Sequence, residues 1–439
     1  MKRTIYKKLL DWKNEKKRKP LILKGARQTG KTYSIRELGK NQFRKIHEIN
    51  FQKDKTACNL FAGNLSPGKI LESIEFYLET DIDKRRDIIF FDEIQDCPRA
   101  LTSLKYFLED MQEIAVISAG SLLGVTQPEE PFPVGQVSFL QLYPMSFEEF
   151  LLAIGDVRSF NKLQSIEYPE TIPPVIHERL MERLKEYFVV GGLPEVVNTY
   201  CENRENKAEA YFKVRAKQEE LIQAYMSDFS KYSDKVSANE IAAVFESIPS
   251  QLARENKKFK ASDAIPRSRF SRLKSPIDWL NGAGLLIKVK MINSGEIPLN
   301  AFEQENRFKL YLFDIGILGA LARIPPKSLY LQNDLFSTYK GAFCENYVAQ
   351  EFIYSGSGQL YSWLRNTAEV EFVREVDGQV YPIEVKAGHS GKLKSLNVFA
   401  GRYPTRYRTR ISAMNLEFND QVKMHSYPLY LSYRFPLSL

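Results

Sequence analysis

The sequence predicts an α/β protein: a parallel-sheet core at its N-terminal end, an α-helical and winged-helix middle, and a C-terminal α/β part. Three observations predict it. A glycine-containing octapeptide, Gly25-Ala26-Arg27-Gln28-Thr29-Gly30-Lys31-Thr32, joins a short apolar run to a helical stretch. A continuous apolar run, Ile88-Ile89-Phe90-Phe91, ends in two adjacent acids, Asp92 and Glu93. Towards the other end, alternating residues on both sides of Asp377-Gly378 describe a hairpin.

The first 19 residues are basic. Lys2, Arg3, Lys7, Lys8, Lys13, Lys16, Lys17, Arg18 and Lys19 face only Asp11 and Glu15, and Ile5, Leu9 and Trp12 recur at helical spacing. An amphipathic helix docked on the core with its charges in water is expected, with phosphate-backbone contact as the alternative. Leu21-Ile22-Leu23 then reads as a buried strand, and Lys31 to Leu38 as a helix closed by Gly39.

Between them, Gly25 to Thr32 fits GxxxxGK[ST], a pattern that arises by accident in a chain this long only about one or two times in a hundred. Strand, glycine loop and helix present backbone N–H groups and a helix N-terminus to a phosphate chain. Lys31 is placed to reach the β- and γ-phosphates of ATP, and the Thr32 hydroxyl to ligate Mg²⁺. The core is therefore expected to be a P-loop NTPase sheet.

An uninterrupted apolar strand such as Ile88–Phe91 is buried on both faces of a parallel sheet, and acids at its C-terminal end lie where such sheets bind ligands. Asp92 is expected to hold the Mg²⁺ shell and Glu93 to polarise the attacking water. Small GTPases lack this second carboxylate, whereas ATPases with an extra strand beside the glycine loop usually have it. Ala115 to Ala119 supplies a third strand, leading into Gly120-Ser121. Ser121 either bridges the γ-phosphate and the water or closes a glycine-serine turn.

Beyond the core, Ser146 with Glu149 three residues on is a capping box opening a helix. Arg158 to Pro174 reads as a surface loop, Gly191-Gly192-Leu193-Pro194 as a break between helices, and Ala208 to Met226 as a further helix. A helix from Ala238 to Glu246, a second short one, a third from Arg269 to Leu280 and a strand from Leu285 to Met291 suggest a winged-helix unit. Arg267, Arg269, Arg272 and Lys274 near its third helix either contact DNA or form a solvated face.

In the C-terminal part, Val370 and Phe372 alternate with Glu369 and Glu371, and the return strand sets Glu384 and Lys386 on the face opposite Tyr381, Ile383 and Val385. The hairpin can gather Glu371, Glu384 and Lys386, with Glu345 on a helix from Gly341 to Phe352. This is the arrangement of PD-(D/E)xK nucleases, in which a divalent cation neutralises clustered carboxylates and activates water. Salt bridging along a solvent-facing hairpin explains the same residues. Arg402, Arg406, Arg408 and Arg410, interleaved with Tyr403 and Tyr407, offer either nucleic-acid contacts with base stacking or one exposed strand face.

Composition bounds the rest. The chain has 439 residues, a 44% apolar fraction and a formal charge of +8, which suits about three folded domains and excludes a disordered chain. Cys58, Cys97, Cys201 and Cys344 are scattered without CxxC spacing, which argues against a zinc site or disulfide frame and for a reducing compartment. No apolar run approaches the ~20 residues needed to span a bilayer, and the basic N-terminus lacks the apolar stretch of a secretory signal. A cytoplasmic protein without a membrane partner is expected.

Over nearly its whole length the chain resembles prokaryotic AAA-type ATP-binding proteins that carry a C-terminal domain of unknown function related to PD-(D/E)xK nucleases. The matching stretches are Gly25 to Thr32, Phe90 to Gln95 with Ser103-Leu104-Lys105, Leu142 to Phe147, Tyr187 to Pro194, and Trp279-Leu280 with Gly282 to Leu285. They continue with Lys309 to Asp314 and Gly316, Gly341 with Glu345-Asn346, and Pro382 to Gly388.

The resemblance implies an ATPase core over 1–155, a helical lid or linker over 156–235, a winged-helix-like part over 236–300 and a nuclease-like domain over 301–439. It implies ATP and Mg²⁺ as ligands, with Glu93, Lys31 and Ser121 as the catalytic groups. DNA and further copies of the chain are candidate partners. Glu345, Glu371 and Glu384 with Lys386 become a candidate second metal site, although Glu371 stands where the family usually has Asp. Gln136 stands where relatives tend to carry Lys or Arg, which implies slow hydrolysis if that position serves a neighbouring site. A nucleotide-operated switch with an inactive C-terminal domain is the alternative function.

Overall fold

Alternation of buried side chains explains how the N-terminal sheet is covered on both faces. In the computed structural model, which describes residues 1–121, 135–231, 235–254, 257–325, 340–387 and 393–437, contacts divide the chain into two compact units. One comprises residues 1–143 with 282–284, the other residues 144–281 with 285–439. Gly388, the last residue of the C-terminal stretch singled out above, lies outside the described residues.

The first unit runs α1 (Ile5–Asn14), β1 (Leu21–Lys24), α2 (Lys31–Gln42), β2 (Ile46–Asn50), α3 (Pro67–Tyr77), β3 (Ile88–Asp92), α4 (Pro98–Asp110), β4 (Ala115–Gly120) and β5 (Ser138–Gln141). Among the described residues its strands form one sheet in the order β2-β3-β4-β1-β5, every pair parallel. Successive strand residues point to opposite faces. Ile22, Ile89, Phe91 and Val116 therefore pack with α3 and α4 residues such as Ile70, Ile74, Leu104 and Phe107. Leu21, Leu23, Ile88, Phe90 and Ile117 pack with Ile5, Leu9 and Trp12 of α1 and Ile35 and Leu38 of α2. β4 stands between β1 and β3, which is the extra strand that the Asp-Glu pair led us to expect.

The basic N-terminal segment is a docked helix. Ile5, Leu9 and Trp12 are buried, Trp12 Nε1 donates to Lys19 O at 2.7 Å, and the Arg3 guanidinium donates to Thr29 O at 2.8 Å and Tyr143 O at 2.6 Å. One expectation fails here. α2 runs through Gly39 to Gln42, and the glycine serves packing rather than termination: a Cβ at Gly39 would lie 2.8 Å from Ile46 Cδ1.

The second unit begins with helices α5 (Phe147–Ala153), α6 (Val157–Gln164), α7 (Pro174–Val190), α8 (Pro194–Asn203), α9 (Lys207–Lys231), α10 (Lys235–Leu252), α11 (Ala261–Ala264) and α12 (Phe270–Gly282). It continues with β6 (Leu286–Ile292), β7 (Glu303–Leu312), α13 (Ile315–Leu321), α14 (Lys340–Tyr354), β8 (Leu360–Arg365), β9 (Ala368–Val376), β10 (Gln379–Val385), α15 (Lys394–Ala400), β11 (Arg408–Ser412), β12 (Glu417–Asn419) and β13 (Met424–Pro428).

Ser146 and Glu149 form the expected capping box at α5. The loop expected over Arg158 to Pro174 instead contains α6, because Asp156 caps it by accepting from Ser159 N at 3.2 Å and Ser159 and Leu163 are buried. Among the described residues the sheet order is β12-β13-β11-β10-β9-β8-β6-β7. It is mixed: β10 pairs β9 antiparallel but β11 parallel, the latter reached through α15. β6, expected to end a separate winged-helix part, pairs β7 antiparallel and β8 parallel, so the strands flanking residue 300 share one sheet with the C-terminal hairpin. That hairpin turns at Asp377 and Gly378, both at positive φ, as the Asp-Gly pair requires.

Among the described residues no helix is long and apolar enough to cross a membrane.

Candidate functional site

β1 delivers the chain into the 25–32 loop, and α2 begins at Lys31. The loop needs its glycines for different reasons. A Cβ on Gly25 would lie 2.2 Å from Leu142 O, so only glycine lets the two backbones approach. Gly30, at φ 92°, sits in the left-handed region immediately before α2. Thr29 is buried and its hydroxyl donates to Ala26 O at 2.9 Å, bracing the turn from within.

Lys31 is buried, and its Nζ donates to Gly25 O and Ala26 O, each at 2.9 Å. Burial pushes the ammonium down to about 8, against the attraction of Glu93 and Asp92. Across the sheet, Thr32 Oγ1 lies 3.3 and 3.2 Å from the two Asp92 oxygens. Asn50 Nδ2 donates to Asp92 Oδ2 at 2.9 Å, and its own Oδ1 accepts from Lys53 N at 2.8 Å. Burial, then the neighbouring Glu93, raises the Asp92 carboxyl above its ordinary value.

Glu93 leaves the strand at φ 53°, which turns its side chain out of the β3 alternation. Gln95 Nε2 then donates to Glu93 Oε2 at 2.7 Å. At the end of β4, Ser121 is buried, and its Oγ has no hydrogen-bond partner among the described residues. Asn50 and Gln95 were missed as site residues. Asn50 follows Ile46-His47-Glu48-Ile49, whose apolar residues do not alternate, so no pattern marked it.

These groups fit a magnesium-bound triphosphate. A buried ammonium, a hydroxyl beside a carboxylate, an orphaned serine hydroxyl and a helix N-terminus lie at the ends of β1, β3 and β4. Gln136, singled out as a departure, donates through Nε2 to Glu109 Oε1 at 2.6 Å.

The C-terminal cluster is built inside the second unit. Glu345 on α14 is buried; its Oε1 pairs with Lys257 Nζ and its Oε2 accepts from Tyr311 OH at 3.0 Å. Lys386 Nζ lies 2.7 Å from Glu384 Oε1 and 3.9 Å from Glu371 Oε1. Lys309, 1% exposed, pairs with Glu369. Burial raises Glu371 to about 8, and Glu345 adds to the rise while Lys386 and Lys309 oppose it. Burial works against charge on Glu345 too, but Lys257 and Lys309 outweigh it and hold that carboxyl below its ordinary value.

Glu345, Glu371, Glu384 and Lys386 thus lie near one another. Among the described residues no three His, Cys, Asp or Glu side chains are grouped to hold a metal ion. Ammonium groups do the neutralising instead, two of them from Lys257 and Lys309, which strand and helix patterns did not reveal.

Of the two readings of the arginine-tyrosine stretch, the strand face is the one observed. Tyr403 and Tyr407 are 7% and 3% exposed, with Tyr407 stacked on His425 at 3.7 Å between centroids, so neither is free to stack on a base. Arg410 Nη2 donates to Ser426 Oγ at 3.3 Å, consistent with one face of β11. In the helical middle, Arg272 pairs with Glu240 at 2.5 Å, while Arg267, Arg269 and Lys274 are exposed.

The strand order and the loop together define an AAA-type, P-loop ATPase-like domain. Its residues 17–151 match the family described as AAA domain. Residues 181–328 match a domain of unknown function, DUF8612, and residues 340–430 another, DUF4143. Neither description names a nuclease.

Among solved structures the chain is similar to the Walker-type ATPase PABY2304 of Pyrococcus abyssi, at 15% identity over 74% of this chain and 96% of that one, with a TM-score of 0.46. C. elegans PCH-2 is similar at 12% identity over 48% and 65% of the two chains, TM-score 0.30. Unliganded Pif1 from Bacteroides sp is similar at 13% identity over 42% and 55%, TM-score 0.22. No curated protein gives a match.

Proposed function

We propose that this protein binds ATP with Mg²⁺ at the 25–32 loop and hydrolyses it to ADP and phosphate. The observation that carries the reading is the pairing of buried Lys31 with the Thr32–Asp92 contact at 3.2 Å. Magnesium, when bound, supplies charge neutralisation on the phosphate oxygens and a fixed geometry for in-line attack. Thr32 and Asp92 hold it, and Asn50 keeps Asp92 oriented. Lys31 and the loop amides from Gly25 to Thr32 hold the phosphates. Glu93, steadied by Gln95, accepts the proton of the attacking water. Ser121 donates its unpaired hydroxyl to the terminal phosphate. Phosphate release by the purified chain with ATP and Mg²⁺ tests this; a rate no higher than that of Lys31→Ala overturns it.

The finer reading, in which the second unit acts on nucleic acid, is supported by the convergence of Glu345, Glu371 and Glu384 on Lys386 and by exposed Arg267, Arg269 and Lys274. The switch reading, in which nucleotide state governs a protein partner and the second unit is inactive, is favoured by Lys257, which pairs with Glu345, and by Lys309, whose charge acts on Glu345 and Glu371. ATPase rate with and without single- and double-stranded DNA, and cleavage in Mg²⁺ or Mn²⁺ by wild type and Lys386→Ala, separate them. Phosphate contacts release counterions, so DNA binding that weakens steeply with salt favours the first. No binding at low salt favours the switch.

A further inference from the structure

Arg3 stands just ahead of α1 and ties that helix to the phosphate loop. Its carbonyl accepts from Tyr6 N at 3.1 Å, and Ile5, Leu9 and Trp12 bury the helix against the core of the first unit. The side chain therefore leaves from a fixed platform. One guanidinium nitrogen donates to Thr29 O at 2.8 Å and the other to Tyr143 O at 2.6 Å.

Seating the helix does not require this pair of bonds, because the apolar face already does so. Both acceptors belong instead to the walls of the loop. Beside Tyr143, Leu142 N donates to Lys24 O at 2.7 Å, and Leu142 O is the atom that forbids a Cβ on Gly25. Arg3 thus spans the loop from that wall to the residue preceding Gly30.

The Thr29 carbonyl shares a peptide unit with Gly30 N–H. In a planar trans peptide the two groups point to opposite sides, so holding the carbonyl towards the guanidinium turns the amide away from it. Within the loop, the Thr29 hydroxyl bonds to Ala26 O at 2.9 Å, which fixes the side chain and leaves that peptide plane to be set by other contacts. Gly30, at φ 92°, has no side chain to restrict it.

We propose that Arg3 is a positioning residue of the nucleotide site, which by holding Thr29 O keeps Gly30 N–H turned to the phosphate chain. The inference rests on the ATP-binding reading given above. Arg3 touches no ligand and acts through the Thr29–Gly30 peptide. An amide bonded to a phosphate oxygen equally before and during hydrolysis contributes uniform binding, so loosening it raises KM and leaves kcat in place. Lysine keeps the charge at position 3 but offers one nitrogen where the guanidinium uses two.

The test measures steady-state hydrolysis by the full chain with ATP and Mg²⁺, and calorimetric titration with ATP and with inorganic tripolyphosphate. Arg3→Ala and Arg3→Lys are expected to raise KM roughly ten-fold, the weight of one hydrogen bond to a charged group. Affinity for tripolyphosphate falls in parallel, while kcat stays within about two-fold of wild type. Lys7→Ala, which removes an exposed charge from the same helix, leaves KM and both affinities unchanged. A helix that has merely come loose removes active molecules, lowering kcat and the number of titrated sites at unchanged KM; that pattern overturns the proposal. So does wild-type KM in Arg3→Ala, full affinity in Arg3→Lys, or an equal loss in Lys7→Ala. If the wild type binds without turnover, the titrations alone decide. A wild type that binds neither ligand overturns the ATP reading and this inference with it, whereas a wild type that binds, with Arg3 variants that bind equally well, overturns this inference alone.

Discussion

The Thr32 hydroxyl contacts Asp92 Oδ2 at 3.2 Å, across 60 positions of sequence. This contact unites the start of α2 with the end of β3 and places a neutral oxygen and a charged one side by side. A hard cation prefers this kind of pair.

Lys31→Ala should weaken ATP binding by about 10²-fold or more, the cost of removing one member of a buried charge contact. Inorganic tripolyphosphate should lose affinity in parallel, because the ammonium addresses phosphate rather than base. Calorimetric titration of both ligands checks this; retained affinity for either contradicts the role given to Lys31.

Glu93→Gln should leave ATP affinity near wild type and lower turnover by roughly 10²–10⁴-fold, the range for loss of a general base. Gln95→Ala, which frees the carboxylate without removing it, should cost less, about ten-fold. Single-turnover phosphate release separates the two effects, and an unimpaired Glu93→Gln protein would exclude the carboxylate as the base.

Lys309→Ala should destabilise the second unit by about 3–5 kcal/mol, because it leaves buried carboxylates uncompensated. Adding Glu345→Gln should restore part of that loss. Urea unfolding of the single and double variants measures it; a single variant as stable as wild type would mean that Lys257 and Lys386 suffice.

Glu148 carries a pH prediction. Burial raises its carboxyl from 4.5 to about 7, with Glu149 adding to the rise and Gln164 and Arg434 opposing it. Between these values the folded chain keeps a proton that the unfolded chain has lost, so stability falls as pH rises through that window. Glu148→Gln removes the titration and should flatten the decline by roughly 1–3 kcal/mol between pH 5 and 8. Thermal unfolding across that range checks the slope, and parallel curves for the two proteins would refute it.

The ATPase core was legible because its signals are local. Phe90 and Phe91 announce a doubly buried strand, Gly25 and Gly30 a loop that side chains would block, and Asp92 follows directly from both. Gly39 misled, since a glycine reads as a helix end while the close approach of Ile46 is a tertiary fact. Ser159 was read as loop polarity, although Asp156, three residues before it, has the spacing of a cap. The C-terminal hairpin was legible from Asp377-Gly378 and the alternation around it. Lys257 and Lys309 were not, because each reaches the acids from a different element and neither sits in a pattern with them. Tyr407 shows the opposite limit: alternating Arg and Tyr reads as a binding strip or as a strand face, and its packing on His425 favours the strand.

The sheet order has a mechanical consequence. β1 and β3 are not paired; β4 stands between them, laddered to each. The spacing of loop and acids is therefore gauged by one intervening ribbon. A substitution along Ala115–Gly120 would shift both halves of the pocket relative to each other, and its effect would emerge as altered alignment of metal and phosphate rather than as loss of either grip.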